Sequence, residues 1–280
     1  MKNLGYYNGK QGLIEEISVP ITDRAFYFGD GVYDAVMCRN NIPYLLFEHV
    51  NRLFSNSALL SITPPMTREE LMHLIKTLCP LVDGDEKFVY FHISRGSGIR
   101  NHEFTTTKGN LCIMIKPQKI ENIYEKMSLC TTKDIRFQLC NIKTLNLLPS
   151  VMCAQNAKNN KCEEGVFIRD GYVTECSHSN ISILKNGRLI TAPADCHILP
   201  GVTRAHLIDS AQKNGIIVRE EKYTLRELMD ADEIIVTSSS KMARGVDKID
   251  GISVGGRDEK TLKLLQNDIY NDYLNSTKLA

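Results

Sequence analysis

The chain has no long hydrophobic run. Its longest apolar stretches, such as Leu111 to Ile115, are far too short to span a bilayer. The opening residues, Met1-Lys2-Asn3-Leu4-Gly5-Tyr6-Tyr7-Asn8, hold no apolar core of signal-peptide length. Charge of one sign is not in excess. The formal net charge is +1, which argues against nucleic acid or an anionic membrane as a partner. Among the nine cysteines, an odd number, no two are spaced C-x-x-C. Zinc-site spacing is therefore missing, and no metal site is expected. A chain of 280 residues also has little need of a disulfide framework. The expectation is a reduced, cytoplasmic protein with buried thiols.

What is present is ordinary for a globular protein: 42% hydrophobic and 24% charged residues, with length enough for two domains. The first part mixes strands and helices. Val32 to Cys38 and Phe88 to Ser94 read as strands, as does Leu111 to Lys116, which Pro117 ends. Phe47 to Leu60 reads as a helix with Phe47, Val50, Leu53 and Phe54 on one stripe. Thr67 and Glu70 form a capping-box pattern that opens a helix over Arg68 to Leu78. The polar stretch Pro117 to Glu125 looks like a connector. Beyond it, Asp170-Gly171 and Asn186-Gly187 are hairpin turns. They join Val166–Arg169 to Tyr172–Glu175, and Ile181–Lys185 to Arg188–Thr191. A helix should run from Thr203 and stop at Gly215. Glu233 to Thr237 is a strand leading into Ser238-Ser239-Ser240, and a last helix covers Asp258 to Tyr273. This is a mixed α and β (α+β) fold in two domains, residues 1–117 and 125–280, joined by a linker at 118–124.

One lysine stands out. In Ile142-Lys143-Thr144-Leu145-Asn146-Leu147-Leu148, Lys143 is the only charge. Apolar surroundings disfavour the ammonium form, and a neutral lysine can form a Schiff base with an aldehyde. Such a lysine suggests pyridoxal phosphate, which makes three further demands. An acidic partner for the pyridine nitrogen could be Glu175, in Thr174-Glu175-Cys176-Ser177-His178-Ser179-Asn180. A phosphate cradle could come from Leu199-Pro200-Gly201-Val202-Thr203-Arg204 before a helix, with Ser238-Ser239-Ser240 and Arg52. A holder for the substrate carboxylate could be Arg100 with His102, which point the same way in an extended loop. Each feature has a plainer reading alone: a strand-end glutamate, a capped turn, a surface arginine, a solvated loop, a lysine that snorkels to solvent. Their joint presence favours the chemical reading.

The chain resembles the fold-type IV pyridoxal-phosphate aminotransferases over nearly its whole length. The resemblance is carried by Asp23-Arg24-Ala25-Phe26-Tyr27-Phe28-Gly29-Asp30-Gly31-Val32-Tyr33, by Glu48-His49-Val50-Asn51-Arg52-Leu53, and by the Lys143 segment. It continues in Thr174-Glu175, Ser179-Asn180, Leu199 to Arg204, and Val236-Thr237-Ser238-Ser239. Within that family it is most similar to the D-amino-acid aminotransferases, whose mark is an Arg-x-His with a tyrosine, here Arg100, His102 and Tyr33. The resemblance implies a smaller N-terminal α/β domain and a C-terminal pseudo-barrel. It implies that Lys143 is the Schiff-base lysine and catalytic base, and that Glu175 pairs with the pyridine nitrogen. Arg52, Val202, Thr203 and Ser239 would hold the phosphate. It also implies a homodimer in which Arg100 and His102 serve the neighbouring subunit's site, and amino acids and 2-oxo acids as substrates.

Three positions depart from the pattern of the D-amino-acid enzymes. Lys241-Met242-Ala243-Arg244-Gly245-Val246 replaces an acidic residue, Ile and a later Pro-Val; Asp34 replaces Glu; His178 replaces Ser. The reaction implied is transamination between a D-amino acid such as D-alanine and 2-oxoglutarate. An aminodeoxychorismate lyase or an L-branched-chain aminotransferase on the same scaffold stays open at this point, as does a binding protein that keeps the fold without the chemistry.

Overall fold

A computed structural model describes residues 1–104 and 107–279. The chain divides into two compact units. One comprises Met1–Lys119, Ile142–Asn146 and the stretch from Leu274; the other comprises Ile120–Asn141 and Leu147–Tyr273. The first unit is thus discontinuous, and the Lys143 segment belongs to it.

The first unit contains β1 (Leu4–Tyr7), β2 (Lys10–Gly12), α1 (Arg24–Phe28), β3 (Gly31–Arg39), β4 (Ile42–Pro43), α2 (Leu46–Leu59), α3 (Arg68–Leu78), β5 (Glu86–Ser94) and β6 (Asn110–Pro117). Its strands form an antiparallel sheet in the order β2-β1-β6-β5-β3-β4. One core buries Val32, Val36, Val89, Phe91, Ile93 and Ile113 of the sheet with Val50, Leu53, Leu71 and Ile75 of α2 and α3. Thr67 starts α3 as expected. Its hydroxyl accepts the Glu70 N–H at 3.2 Å, and the Glu70 carboxylate accepts the Thr67 N–H at 2.7 Å. Phe47 departs from the expected stripe: it is 61% exposed, and Leu46 one position earlier turns inward instead.

The second unit contains β7 (Met127–Lys133), α4 (Leu148–Asn159), β8 (Glu164–Arg169), β9 (Tyr172–Cys176), β10 (Asn180–Lys185), β11 (Arg188–Thr191), α5 (Val202–Lys213), β12 (Ile217–Glu220), α6 (Leu225–Met229), β13 (Glu233–Ser238), β14 (Met242–Ile249), β15 (Ile252–Ser253) and α7 (Glu259–Ser276), whose residues from Leu274 group with the first unit. Its sheet runs β12-β11-β10-β13-β14-β7-β8-β9 with β15 beside β14, curled as a half-barrel. β7 pairs in parallel with both β14 and β8, and β11 with β12; the other pairs are antiparallel. Both expected hairpins form. Asp170 and Asn186 sit at φ 52° and 51°, the left-handed conformation of the tight turns that match strand twist. A second core gathers Val166, Val173, Ile181, Ile183, Ile234, Val236 and Val246 around Tyr223. The mixed α and β class is borne out. All nine cysteines are free thiols, six of them buried. Among the described residues, no helix is long and apolar enough to cross a membrane.

Candidate active site

In the first unit, the Lys143 segment lies antiparallel to the start of β3. The Tyr33 N–H donates to the Lys143 carbonyl at 2.9 Å, and the Leu145 N–H donates to the Gly31 carbonyl at 3.0 Å. The Lys143 side chain is half-buried, and its Nζ stands 4.4 Å from the centre of the Tyr33 ring. Tyr33 stacks in turn on Tyr90, with centroids 5.5 Å apart. This setting corrects the argument from sequence neighbours. The apolar run is not a buried run, because Leu147 and Leu148 are 37% and 70% exposed and only Ile142 enters the core. An aromatic face attracts a cation rather than expelling it.

Asp34, beside Tyr33 on β3, is fully buried. It accepts from Arg52 Nε at 2.9 Å and Nη2 at 2.8 Å, and its Oδ1 lies 2.7 Å from His49 Nδ1. Burial opposes its ionisation. The charges and hydrogen bonds of Arg52 and His49 outweigh that and hold it well below the usual carboxylate range. His49 is pushed below its ordinary value by burial, against the pull of Asp34 and with help from the cations Arg52 and Lys143. Asp34 therefore fixes the plane of the Arg52 guanidinium.

Arg100 and His102 are exposed and share one ring, that of Phe28 at the end of α1. The Arg100 guanidinium carbon lies 5.0 Å from the ring centre and the His102 ring 5.2 Å. Arg24 holds the loop beneath them. Its buried guanidinium donates to the carbonyls of Asn101 at 2.7 Å and Glu103 at 3.2 Å, and pairs with Asp30 at 2.8 Å. The structure thus brings Arg100 and His102 together on Phe28, while Tyr33 packs with Lys143 and Tyr90.

In the second unit, Glu175 is nearly buried near the end of β9. Its Oε1 pairs with Arg136, and its Oε2 accepts from the Asn180 amide and the Leu199 N–H, both at 3.0 Å. Arg136 is itself anchored by Asp134 at 2.9 Å and by the His197 carbonyl at 3.0 Å. Burial alone would raise Asp134, but hydrogen bonds from Arg136 and Arg169 lower its pKa to about 2. Asn180 also donates to the Leu199 carbonyl at 2.9 Å. It thereby stitches Glu175 to the loop that opens α5.

That loop ends in Gly201, the N-cap of α5, which offers no side-chain cap. The first N–H groups of a helix lack intrahelical acceptors and favour an anion. Any Cβ at Gly201 would stand 2.0 Å from Asn180 Oδ1, so only glycine lets the helix start this close to the Glu175 anchor. Val202 and Thr203 form the first turn, with Thr203 buried. Ser239 is half-buried in the turn between β13 and β14. These features fit an aromatic, nitrogen-bearing phosphate ester. A fixed carboxylate stands ready for the ring nitrogen, and it is tied to an uncapped helix start suited to the phosphate.

Arg136 is not named in the sequence reading, and Asn180 and Phe28 appear there only inside longer motifs, without a role. Asp134-Ile135-Arg136 carried a signal, since two opposite charges flanking an apolar residue fall on one side of an extended chain. Metal-ligating residue types do gather at Asp195, Cys196 and His197, with atoms within 4.8 Å of one another. They are consecutive residues of a turn in which Asp195 Oδ1 accepts the His197 N–H at 2.8 Å.

The family model for class IV amino-transferases matches residues 31–249. A D-alanine aminotransferase of Listeria monocytogenes is 36% identical over 260 residues, covering 90% of each chain. Two crystal structures share the fold. The branched-chain amino acid aminotransferase of Escherichia coli superposes with a TM-score of 0.89 at 21% identity, covering 99% of this chain and 97% of its own. The branched-chain aminotransferase of the archaeon Thermoproteus uzoniensis, determined with norvaline, gives 0.85 at 21% identity, covering 97% of each chain. With the family pattern spanning most of the sequence and curated relatives matching nearly end to end, this chain belongs to the class IV aminotransferases.

Proposed function

We propose that this enzyme is a cytoplasmic, pyridoxal-phosphate-dependent D-amino-acid transaminase. It would move the amino group of a D-amino acid such as D-alanine to 2-oxoglutarate, giving a 2-oxo acid and D-glutamate. The observation that carries the reading is the Arg100–His102 pair gathered on Phe28, in a chain similar to D-alanine aminotransferases along its length.

When bound, pyridoxal phosphate supplies an aldehyde for the amino group and a ring that withdraws electrons from the substrate's α-carbon. Lys143 Nζ is the proposed attachment point; once freed, it takes the proton from the α-carbon of the donor amino acid and, in the return half of the cycle, delivers one to the α-carbon of the accepting 2-oxo acid. Glu175 holds a proton on the ring nitrogen. Its own position is fixed by Arg136, Asn180 and the Leu199 N–H. The N–H groups of Val202 and Thr203, Ser239 and Arg52 hold the phosphate. Tyr33, Arg100 and His102 hold the substrate carboxylate, the last two in the site of a second copy of the chain. Exposed Ile21, Phe26 and Ile99 support that homodimer. Their segments are joined by the Gly98 N–H to Thr22 carbonyl bond of 3.0 Å.

Purified protein given D-alanine and 2-oxoglutarate should release pyruvate. Turnover of L-leucine without turnover of D-alanine would replace this reading with the L-branched-chain one. Borohydride reduction and peptide mass spectrometry should place a pyridoxyl adduct on Lys143. An intact protein without that adduct would leave the fold and remove the chemistry.

A further inference from the structure

Glu164, His178 and Lys241 form a charged cluster within the second unit that the proposed chemistry does not use. Glu164, on β8, has no exposed side-chain surface. It accepts from Ser177 Oγ at 3.2 Å, the His178 N–H at 2.8 Å and Ser179 Oγ at 2.9 Å. It also pairs with Lys241 Nζ at 3.0 Å. The same Nζ lies 2.7 Å from His178 Nε2. An ammonium only donates, so Nε2 accepts, and the proton of a neutral ring sits on Nδ1. Nδ1 lies 3.0 Å from Ser177 Oγ and 3.3 Å from Glu164. His178 and Lys241 are two of the positions at which this chain departs from the pattern of the enzymes it resembles, and here they touch.

We infer that Lys241, held in place by His178, recognises a second carboxylate on the substrate, which makes dicarboxylic partners such as 2-oxoglutarate and D-glutamate the preferred ones. This rests on the transaminase reading above. The cluster stands on the two segments that carry proposed cofactor contacts. His178 follows Glu175 in the stretch that Asn180 ties back to the Glu175 carboxylate, and Lys241 ends the turn that holds Ser239. Lys241 commits two donors, to Glu164 and to His178, and an ammonium has three. Its side chain is 12% exposed and that of His178, which braces it, is 50% exposed, so the third donor of Lys241 can meet a carboxylate arriving from solvent. Glu164 does not need Lys241 as its sole donor, because two hydroxyls and a backbone N–H from residues 177–179 already serve it. The plainer role, neutralising Glu164, predicts no discrimination between substrates.

The test compares the wild-type holoenzyme with Lys241→Met, Lys241→Arg, and a double variant carrying Lys241→Met with Glu164→Gln. The double variant removes both buried charges and so guards against misfolding. With D-alanine as donor, KM is measured for 2-oxoglutarate and for 2-oxobutyrate. Calorimetry gives the affinity for glutarate and for butyrate without turnover. Loss of one charge-assisted hydrogen bond should raise the 2-oxoglutarate KM and the glutarate Kd about tenfold in both Met variants. The 2-oxobutyrate and butyrate values should stay within about twofold, and Lys241→Arg should restore most of the loss. Equal changes for mono- and dicarboxylates, or none for the dicarboxylates, overturn the inference. A wild-type enzyme without D-alanine turnover that still prefers glutarate would overturn the transaminase reading and leave this subsite standing.

Discussion

At the scale of single residues, the second unit's site depends on how Glu175 is held. Arg136 stands between Glu175 and Asp134, so removing its guanidinium leaves two acids without their main partner. Breaking a buried pair in this way costs about 3–5 kcal/mol. Arg136→Leu should lose about that much stability in urea unfolding, and it should lose activity as Glu175 shifts. Glu175→Gln keeps the shape but removes the charge and turns an NH2 group toward a donor, either Arg136 or Asn180 with the Leu199 N–H. Its kcat should fall roughly a hundredfold, and the urea midpoint should fall as well because Arg136 loses one of its two acids. Lys143 was singled out in the sequence for a reason that the fold keeps only in part. Its apolar neighbours suggested burial, whereas the folded chain exposes two of them and sets the ammonium on Tyr33. Arg136 and Asn180 were harder to read, because their meaning lies in partners 39 and 5 residues away that only the strand pairing brings near.

At the scale of elements, local signals were the readable ones. The Thr67–Glu70 capping box and both hairpin turns lie within a few residues of their partners and appear as expected. α4 escaped notice because it buries only Cys153 and Ala157, while Leu148, Val151 and Met152 are exposed. Such a helix shows no apolar stripe to read. The parallel pairing of β7 with β8 and β14 is also invisible locally, since it joins strands far apart in the chain. Two substitutions separate a helix start that only stabilises from one assigned to bind. Thr67→Ala should cost about 1 kcal/mol in urea unfolding with activity unchanged. Gly201→Ala forces a Cβ toward Asn180, and overpacking of that kind costs roughly 1–3 kcal/mol. Here the cost should be read as weaker pyridoxal phosphate binding in an absorbance titration.

At the scale of the whole molecule, acid should act in two steps. Burial lowers His92 to about 4, against the opposing charge of Asp23. A histidine held neutral by the fold contributes stability that is full above its unfolded value near 6.5. That contribution is lost as pH falls from about 6.5 toward 4. Asp134, lowered to about 2, is the opposite kind of group, a carboxylate held ionised. Its contribution persists down to its unfolded value near 4 and disappears as pH falls toward 2. Thermal melts across this range should show both slopes, and His92→Gln should reduce the upper one, to which buried His49 also contributes, while leaving the lower one. Assembly is a second property of this scale. Sedimentation should give a dimer for the native chain, and Phe26→Asp with Ile99→Asp should shift it to monomer and lower activity together.

The discontinuity of the first unit bears on how the protein comes into being. Ile142 completes its core, and the segment from Leu274 fastens to the β3–β4 turn, where Arg39 donates to the Leu274 carbonyl at 3.3 Å and Asn40 to the Thr277 carbonyl at 3.0 Å. Synthesis is vectorial, so a nascent chain that has reached residue 119 carries the whole sheet but neither Lys143 nor this fastening. Lys143 is delivered to an already emerged sheet. The fastening is made only after the entire second unit has left the ribosome, so the first unit is the last to be completed.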